Sequence, residues 1–304
     1  MDERHPNFAT NRGARGPAVT IESVEKRRMC PSCRAFISIS DRVCPYCGVQ
    51  LGPRAIDLRG SQFAASLLPH ANITSTIILA INVFCFLIEV VISSQLTRSS
   101  IFSSGANVNS GVIVLLGGKA GPYIYHGDWW RLITAGLLHA GIIHLAMNSY
   151  ALFILVSEVE QFYGTSRMIF AYIFSSFTGF LCSLIFSPRS LSLGASAAAF
   201  GLIGIMLAMS VRHRSDPLVQ LVRAQYTQWV VFSLVLSFMP GVDLAAHVGG
   251  LIGGFLVGLA AGLPGLPNSP REHLWKVLAG IAIAITLYAI FKDFLSYREL
   301  IRQI

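Results

Sequence analysis

Four polar side chains sit inside or at the edge of strongly apolar runs in this sequence: His144, Asn148, Ser196 and His247. A serine hydroxyl becomes a nucleophile when a histidine takes its proton, so Ser196 and His247 are the first pair to consider. Ser196 lies in G-A-S-A, Gly194 to Ala197, where an extended loop gives way to an apolar run. Serine is also a favoured N-cap, bonding an orphan backbone N–H at a helix start. The nucleophile reading therefore needs a base, which His247 supplies from a later run. A helix start adds free N–H groups and the positive end of a macrodipole, both suited to holding an oxyanion. His144 and Asn148 are four residues apart and share one helical face, so both can point a donor at one oxygen. The same pair also suits an ordinary polar contact between helices.

The elements that position these groups belong in lipid. Of 304 residues, 53% are hydrophobic and 12% charged, with a mean hydropathy of +0.60; ordinary soluble domains carry about 25% charged residues. Seven apolar runs are predicted to span: Ile73 to Ser94, Leu132 to Val156, Met168 to Phe186, Ala197 to Val211, Trp229 to Met239, Leu244 to Gly262 and Leu274 to Phe291. Two are short for a span of about 20 residues. The connection from Gln95 to Arg131 carries Gly-rich stretches and Tyr123, Tyr125, Trp129 and Trp130, aromatics that suit the membrane interface.

The net charge of +8 does not point to nucleic acid, because the basic residues concentrate in the N-terminal segment and in short connections. Positive-inside topology accounts for that distribution. Met1 to His70 is mostly polar and lacks the apolar core of a secretory signal, so the N-terminus is expected to stay in the cytosol. Alternation then puts Arg212 to Arg223 and Arg271 to Lys276 inside. The tail, with Lys292, Arg298 and Arg302, ends outside, against the rule.

The second, fourth and sixth spans run in the same direction, and each carries its polar group at a matching depth. His144 precedes Glu158 by 14 residues, Ser196 precedes Arg212 by 16 and His247 precedes Leu263 by 16. At 1.5 Å per residue these are roughly 21 to 24 Å from the inner boundary of a core about 30 Å thick. Ionisable groups at such depth face a bundle interior or a watery cavity. Ala197, Gly201 and Gly204 on one run, with Gly250, Gly254 and Gly258 on another, allow close backbone approach. Asp243, one turn before His247, either caps the sixth span or orients the imidazole.

C-P-S-C at Cys30 to Cys33 and C-P-Y-C-G at Cys44 to Gly48 pair two knuckles across a ten-residue spacer. Four thiolates in that pattern suit a closed, structural Zn²⁺ site like a zinc ribbon, with redox pairs or disulfides as the competing readings. Cys85 and Cys182 lie inside apolar runs and read as packing residues.

In chain order, these pieces resemble the rhomboid family of intramembrane serine proteases over roughly Asn72 to Gly262. Trp130 and Arg131 resemble the motif of the family's first external loop, and H-A-G-I-I-H-L-A-M-N, His139 to Asn148, its second-helix signature. Glu160 with Gly164 resembles the turn after that helix. G-A-S-A resembles G-x-S-G, and A-H-V-G-G, Ala246 to Gly250, the sixth-helix histidine motif. The resemblance implies a Ser196–His247 dyad without a required carboxylate, and an oxyanion hole of His144, Asn148 and the Ser196 backbone N–H. It implies that Phe200 stacks on the histidine, that Trp130 and Arg131 fix the external loop, that Gly194 supports the nucleophile turn and that His139 is structural. Ala197 departs from the usual glycine, and its methyl is expected to narrow the space beside the nucleophile.

The expected fold is an all-α membrane protein: a rhomboid-like bundle of six core transmembrane helices plus one extra C-terminal helix, with a small N-terminal zinc ribbon. Its divisions are a disordered segment 1–26, a zinc-ribbon-like module 27–50, a linker 51–70, a protease core 71–264 and an added helix and tail 265–304. The expected setting is the inner membrane of a bacterial cell, where the substrates are single-pass or other transmembrane proteins in the lipid bilayer. No cofactor is expected for catalysis. Two other classes compete. One is a non-catalytic rhomboid-like factor that binds and escorts membrane clients, which would lack the serine or the histidine. The other is a transporter with a histidine proton relay, for which Glu89 is an isolated acid.

Overall fold

The computed structural model describes residues 27–30, 32–38, 41–51, 73–97, 107–213, 217–266 and 269–303. The expected disordered segment 1–26 and nearly all of the expected linker, 52–70, lie outside the described residues. The chain divides into two compact units, Met1–Leu58 and Arg59–Ile304.

In the first unit β1 (Arg27–Met29) pairs antiparallel with β2 (Phe36–Ser38) in the register Arg28 opposite Ile37, and a further bridge joins Val43 to Gln50. Both cysteine knuckles close the same way. Arg34 N–H donates to the Cys30 carbonyl at 3.0 Å and Gly48 N–H to the Cys44 carbonyl at 2.9 Å. Each turn puts its last residue in the left-handed region, Gly48 at φ 70° and Arg34 at φ 60°. Glycine takes that conformation freely, whereas arginine adopts it at a steric cost.

The second unit is helical. Long helices run as α1 (Ile73–Thr97), α5 (Ile142–Tyr163), α6 (Thr165–Phe186), α7 (Ser196–Arg212), α8 (Pro217–Leu236), α9 (Leu244–Ala261) and α10 (Pro270–Gln303). Three short helices, α2 (Ser110–Leu115), α3 (Gly121–Tyr125) and α4 (Arg131–Thr134), fold the connection between α1 and α5. Five helices, namely α1, α5, α6, α9 and Pro270–Arg298 within α10, are long and apolar enough to cross a membrane, and α7 is a shorter apolar helix. The chain is a multi-pass integral membrane protein.

Two boundaries correct the sequence reading. Leu132 to Gly141 is not part of the second span: α4 and a 3₁₀ turn at Ala135–Leu137 hold most of it in the folded connection, and the spanning helix starts at Ile142. The apolar run extends across both because Arg131, Leu132, Thr134 and Ala135 are buried by protein, so hydropathy alone does not separate them. The predicted fifth span, Trp229 to Met239, does not keep its bounds: most of that run falls in the 20-residue α8, which begins at Pro217 and is not among the five helices long and apolar enough to cross. Gln220, Arg223, Gln225 and Gln228 hid its first half.

α7 lies at the centre, with all but four of its 17 residues buried. A helix apolar on every face has to be enclosed by others. It packs most extensively on α9, and both pack on α6. An added Cβ on Gly254 of α9 would collide with the Gly201 carbonyl of α7, and one on Gly250 with the Ala197 carbonyl. The glycines therefore set the spacing of two parallel helices whose N-terminal ends carry Ser196 and His247. At the other end Arg167 of α6 makes a bidentate pair with Glu272 of α10, at 2.5 and 2.7 Å.

Candidate active site

Ser196 Oγ lies 2.8 Å from Nε2 of His247. Ser196 is the first residue of α7, and Ala195 occupies the N-cap without a side-chain bond. The hydroxyl is thus turned to the histidine instead of capping its helix. A hydroxyl at this distance from an unprotonated imidazole nitrogen can hand over its proton and attack a carbonyl. The His247 ring is buried and stacks on Phe200, with centroids 4.3 Å apart and planes at 17°. Phe200 stands four residues after Ser196, so a single helix turn supplies both the hydroxyl and the surface that fixes the ring.

Gly194 adopts φ 114°, and its N–H donates to the Ala135 carbonyl at 2.9 Å. A Cβ there would stand 2.8 Å from His144 Nε2 and 3.7 Å from Asn148 Nδ2, so both of these nitrogens border the turn that leads to Ser196. Ala140 N–H donates to His144 Nδ1 at 3.3 Å, which leaves the ring proton on Nε2, facing Gly194. Asn148 Nδ2 donates one hydrogen to the His144 carbonyl at 3.0 Å and keeps the other. Two N–H donors thus border the Gly194 turn, which leads into the first residue of α7, Ser196. Donors arranged in this way stabilise the negative oxygen of a tetrahedral adduct.

His139 is fully buried behind His144, with ring centroids 5.3 Å apart. Its backbone N–H donates to the Glu89 carboxylate of α1, at 3.0 Å to the nearer oxygen. Glu89 therefore anchors the chain ahead of α5 and faces protein, which accounts for an acid in the first span without a proton relay.

The bonds of Arg131 and the ring contacts of Trp130 go to groups other than Ser196 and His247. Arg131 is buried, pairs with Asp128 at 3.0 Å, and donates to the carbonyls of Val114 at 2.6 Å and Gly118 at 3.2 Å. The next residue, Lys119, forms a two-way bridge with Ser192, at 2.9 and 3.0 Å, on the strand that enters Gly194. Lys119 Nζ also donates to the Ser187 and Ser190 carbonyls, at 2.6 and 3.1 Å. Its burial draws its pKa below the ordinary lysine value, an effect partly offset by Asp243. Trp130 carries Lys292 of α10 over its ring at 5.1 Å, and Trp129 stacks on Tyr288 at 6.0 Å.

Asp243 caps α9: one carboxylate oxygen accepts Ala246 N–H at 3.0 Å, and the other is held by Ser183. It does not hold the His247 ring. Nδ1 of that ring instead meets Ser237 Oγ at 2.6 Å, a partner that no sequence motif marked. The methyl of Ala197 packs toward Gly179 of α6, where a Cβ would come within 2.7 Å of it.

In the N-terminal unit the sulfurs of Cys30, Cys33, Cys44 and Cys47 lie within 4.8 Å of one another. Cys30 and Cys47 are 3.7 Å apart, as are Cys33 and Cys44. That is too long for disulfides, and all four are free. It matches the edge of a tetrahedron with metal–sulfur bonds of about 2.3 Å, roughly 3.8 Å. The Cys33 backbone N–H draws the Cys30 thiol down to about 6. Cys33 is pushed up to about 12: a backbone N–H from Ala35 lowers it, but burial and the three neighbouring sulfurs outweigh that. A cation among the four would relieve this repulsion.

The Rhomboid domain family matches residues 126–263. The rhomboid protease GluP of Bacillus subtilis is 34% identical over 202 residues, which cover 66% of this chain and 39% of GluP. RHOMBOID-like protein 4 of Arabidopsis thaliana is 33% identical over 59% of this chain and 48% of its own length, so the chain spans less than half of these two relatives. The putative rhomboid protease YdcA of Bacillus subtilis is 35% identical over 136 residues, 44% of this chain and 68% of YdcA. With a helical bundle around these motifs and a relative matched over two thirds of its length, the chain belongs to the rhomboid family.

Proposed function

We propose that the chain is a serine endopeptidase that cuts peptide bonds in the transmembrane segments of other membrane proteins, with Ser196 as nucleophile and His247 as general base. The observation that carries this reading is the 2.8 Å contact between Ser196 Oγ and His247 Nε2 under the stacked Phe200 ring. Nε2 takes the hydroxyl proton as Oγ bonds to the scissile carbonyl carbon. The oxygen that becomes negative is held by His144 Nε2–H, an Asn148 Nδ2–H and the Ser196 backbone N–H. The protonated His247 gives its proton to the departing amine as the C–N bond breaks. Water, deprotonated by the same nitrogen, then releases the acyl group.

In this reading residues 71–264 are the protease core and 265–304 an added helix and tail that braces the loop around Trp130. The N-terminus lies in the cytosol, in keeping with the basic residues Arg167, Arg212 and Arg271 at the bundle end away from Ser196. Substrates are single-pass or other transmembrane proteins that enter from the bilayer, and the segment Met239 to Leu244 caps the site. Cys30, Cys33, Cys44 and Cys47 hold a structural Zn²⁺ that ties the two knuckles together and leaves no position open for chemistry.

The test is cleavage of a helical single-pass substrate by purified protein in liposomes. Ser196→Ala and His247→Ala should each lower the rate by on the order of 10⁴-fold or more. Equal cleavage by the wild type and both variants would overturn the assignment.

A further inference from the structure

The His247 ring has two nitrogens, and catalysis by the proposed route needs the proton to rest on Nδ1 so that Nε2 is free. Nothing in the Ser196 contact by itself selects that tautomer, because a hydroxyl can donate to Nε2 or accept from it. The choice is made on the other side of the ring. Ser237, just past the end of α8 and 2% exposed, sets its Oγ 2.6 Å from Nδ1. The same Oγ lies 2.7 Å from the Ser233 carbonyl, one turn back on α8. A carbonyl can only accept, so the Ser237 proton goes to Ser233 and the Oγ lone pair is left for Nδ1–H.

We infer that Ser237 is a positioning residue for His247, holding the ring in the tautomer that leaves Nε2 unprotonated toward Ser196; this rests on the protease reading above. The chain of bonds then runs one way: Ser196 O–H to Nε2, Nδ1–H to Ser237 Oγ, Ser237 O–H to the Ser233 carbonyl. In the opposite tautomer Ser237 has to turn its proton to Nδ1 and give up the Ser233 carbonyl, so that state has one hydrogen bond fewer. Asp243, the nearest acid in sequence, is occupied by Ala246 and Ser183. A hydroxyl in the third place also avoids burying another charge in the bilayer.

The link has a mechanical side. Ser196 and Phe200 belong to α7 and His247 to α9, whereas Ser237 follows α8, which packs chiefly on α7. The ring is thus held by three separate helices, two through hydrogen bonds and one of those also through stacking. Ser237 reads as an ordinary helix-end serine until the fold places it against the imidazole.

The experiment compares wild type, Ser237→Ala, Ser237→Thr and Ser196→Ala in liposomes with a single-pass substrate. Ser237→Ala should lower kcat roughly 10- to 100-fold, the worth of a hydrogen bond to a group that becomes charged, with KM little changed. Ser237→Thr, which keeps the hydroxyl, should restore kcat to within roughly threefold of wild type. A second readout does not need activity. In ¹⁵N-histidine-labelled protein, the His247 signals, assigned by difference against His247→Gln, should report protonated Nδ1 and bare Nε2 in wild type and a mixture in Ser237→Ala. Undiminished kcat in Ser237→Ala, alongside loss of activity in Ser196→Ala, would overturn this inference and leave the protease reading standing. Activity that survives Ser196→Ala would instead overturn the protease reading, and the tautomer signals would still decide what Ser237 does to the ring.

Discussion

Replacing Gly254 with alanine should disable the site from a distance. Gly254 lies seven residues past His247 on α9, about 10.5 Å along the helix. A Cβ there falls inside the closest separation such atoms adopt from the Gly201 carbonyl, by roughly 1 Å, and a backbone oxygen in a buried helix has nowhere to retreat. α7 and α9 must therefore part by about that amount. Overpacking of this kind costs about 1–3 kcal/mol. The Ser196–His247 contact, 2.8 Å in the wild type, would open to roughly 3.8 Å, beyond the hydrogen-bond range. A misplacement of about 1 Å reduces turnover on the order of 100-fold. The assay pairs cleavage of a single-pass substrate in liposomes with thermal unfolding in detergent. Gly280→Ala is the control, because a Cβ on Gly280 of α10 meets nothing within 4 Å. It should leave the rate unchanged and hold or raise the midpoint, since alanine favours helix over glycine. If Gly254→Ala keeps wild-type turnover and midpoint, close glycine packing does not set the geometry of the site.

Two further outcomes follow from the same coordinates. Asn148→Ala removes one of the proposed oxyanion donors and should lower kcat roughly 100- to 1,000-fold while leaving the unfolding midpoint nearly unchanged; a fall in the midpoint with unaltered kcat would make Asn148 a packing residue. The full chain should contain about one zinc by elemental analysis, and Cys30→Ser with Cys33→Ser should lose it. Retention of zinc by that double variant would remove the four-sulfur site.

The motifs made the candidate site legible because each rests on local requirements. A serine at the start of an apolar helix, a histidine at matching depth and glycines at four-residue spacing leave few arrangements in lipid, and α7 and α9 realise one of them. His144 and Asn148 were readable for the same reason, being one turn apart on α5. The boundaries of α5 and α8 were not. Hydropathy registers burial whether lipid or protein supplies it, so Leu132 to Gly141 passed for membrane, while the polar residues from Gln220 to Gln228 concealed about the first three turns of α8.

Composition and pattern determined that the chain lives in a membrane, which helices carry the candidate site and which four thiols form a set, because hydrocarbon tolerates only satisfied backbones and few polar side chains. Only the tertiary structure decided which atoms those groups meet. Asp243 stands one turn from His247 in sequence yet bonds elsewhere, and Ser237, ten residues before it, takes Nδ1. The Ala197 methyl turns to Gly179 on α6. Sequence spacing fixes the face of one helix, but the partner of a side chain depends on the separation and rotation of three helices packed together, which no single segment encodes.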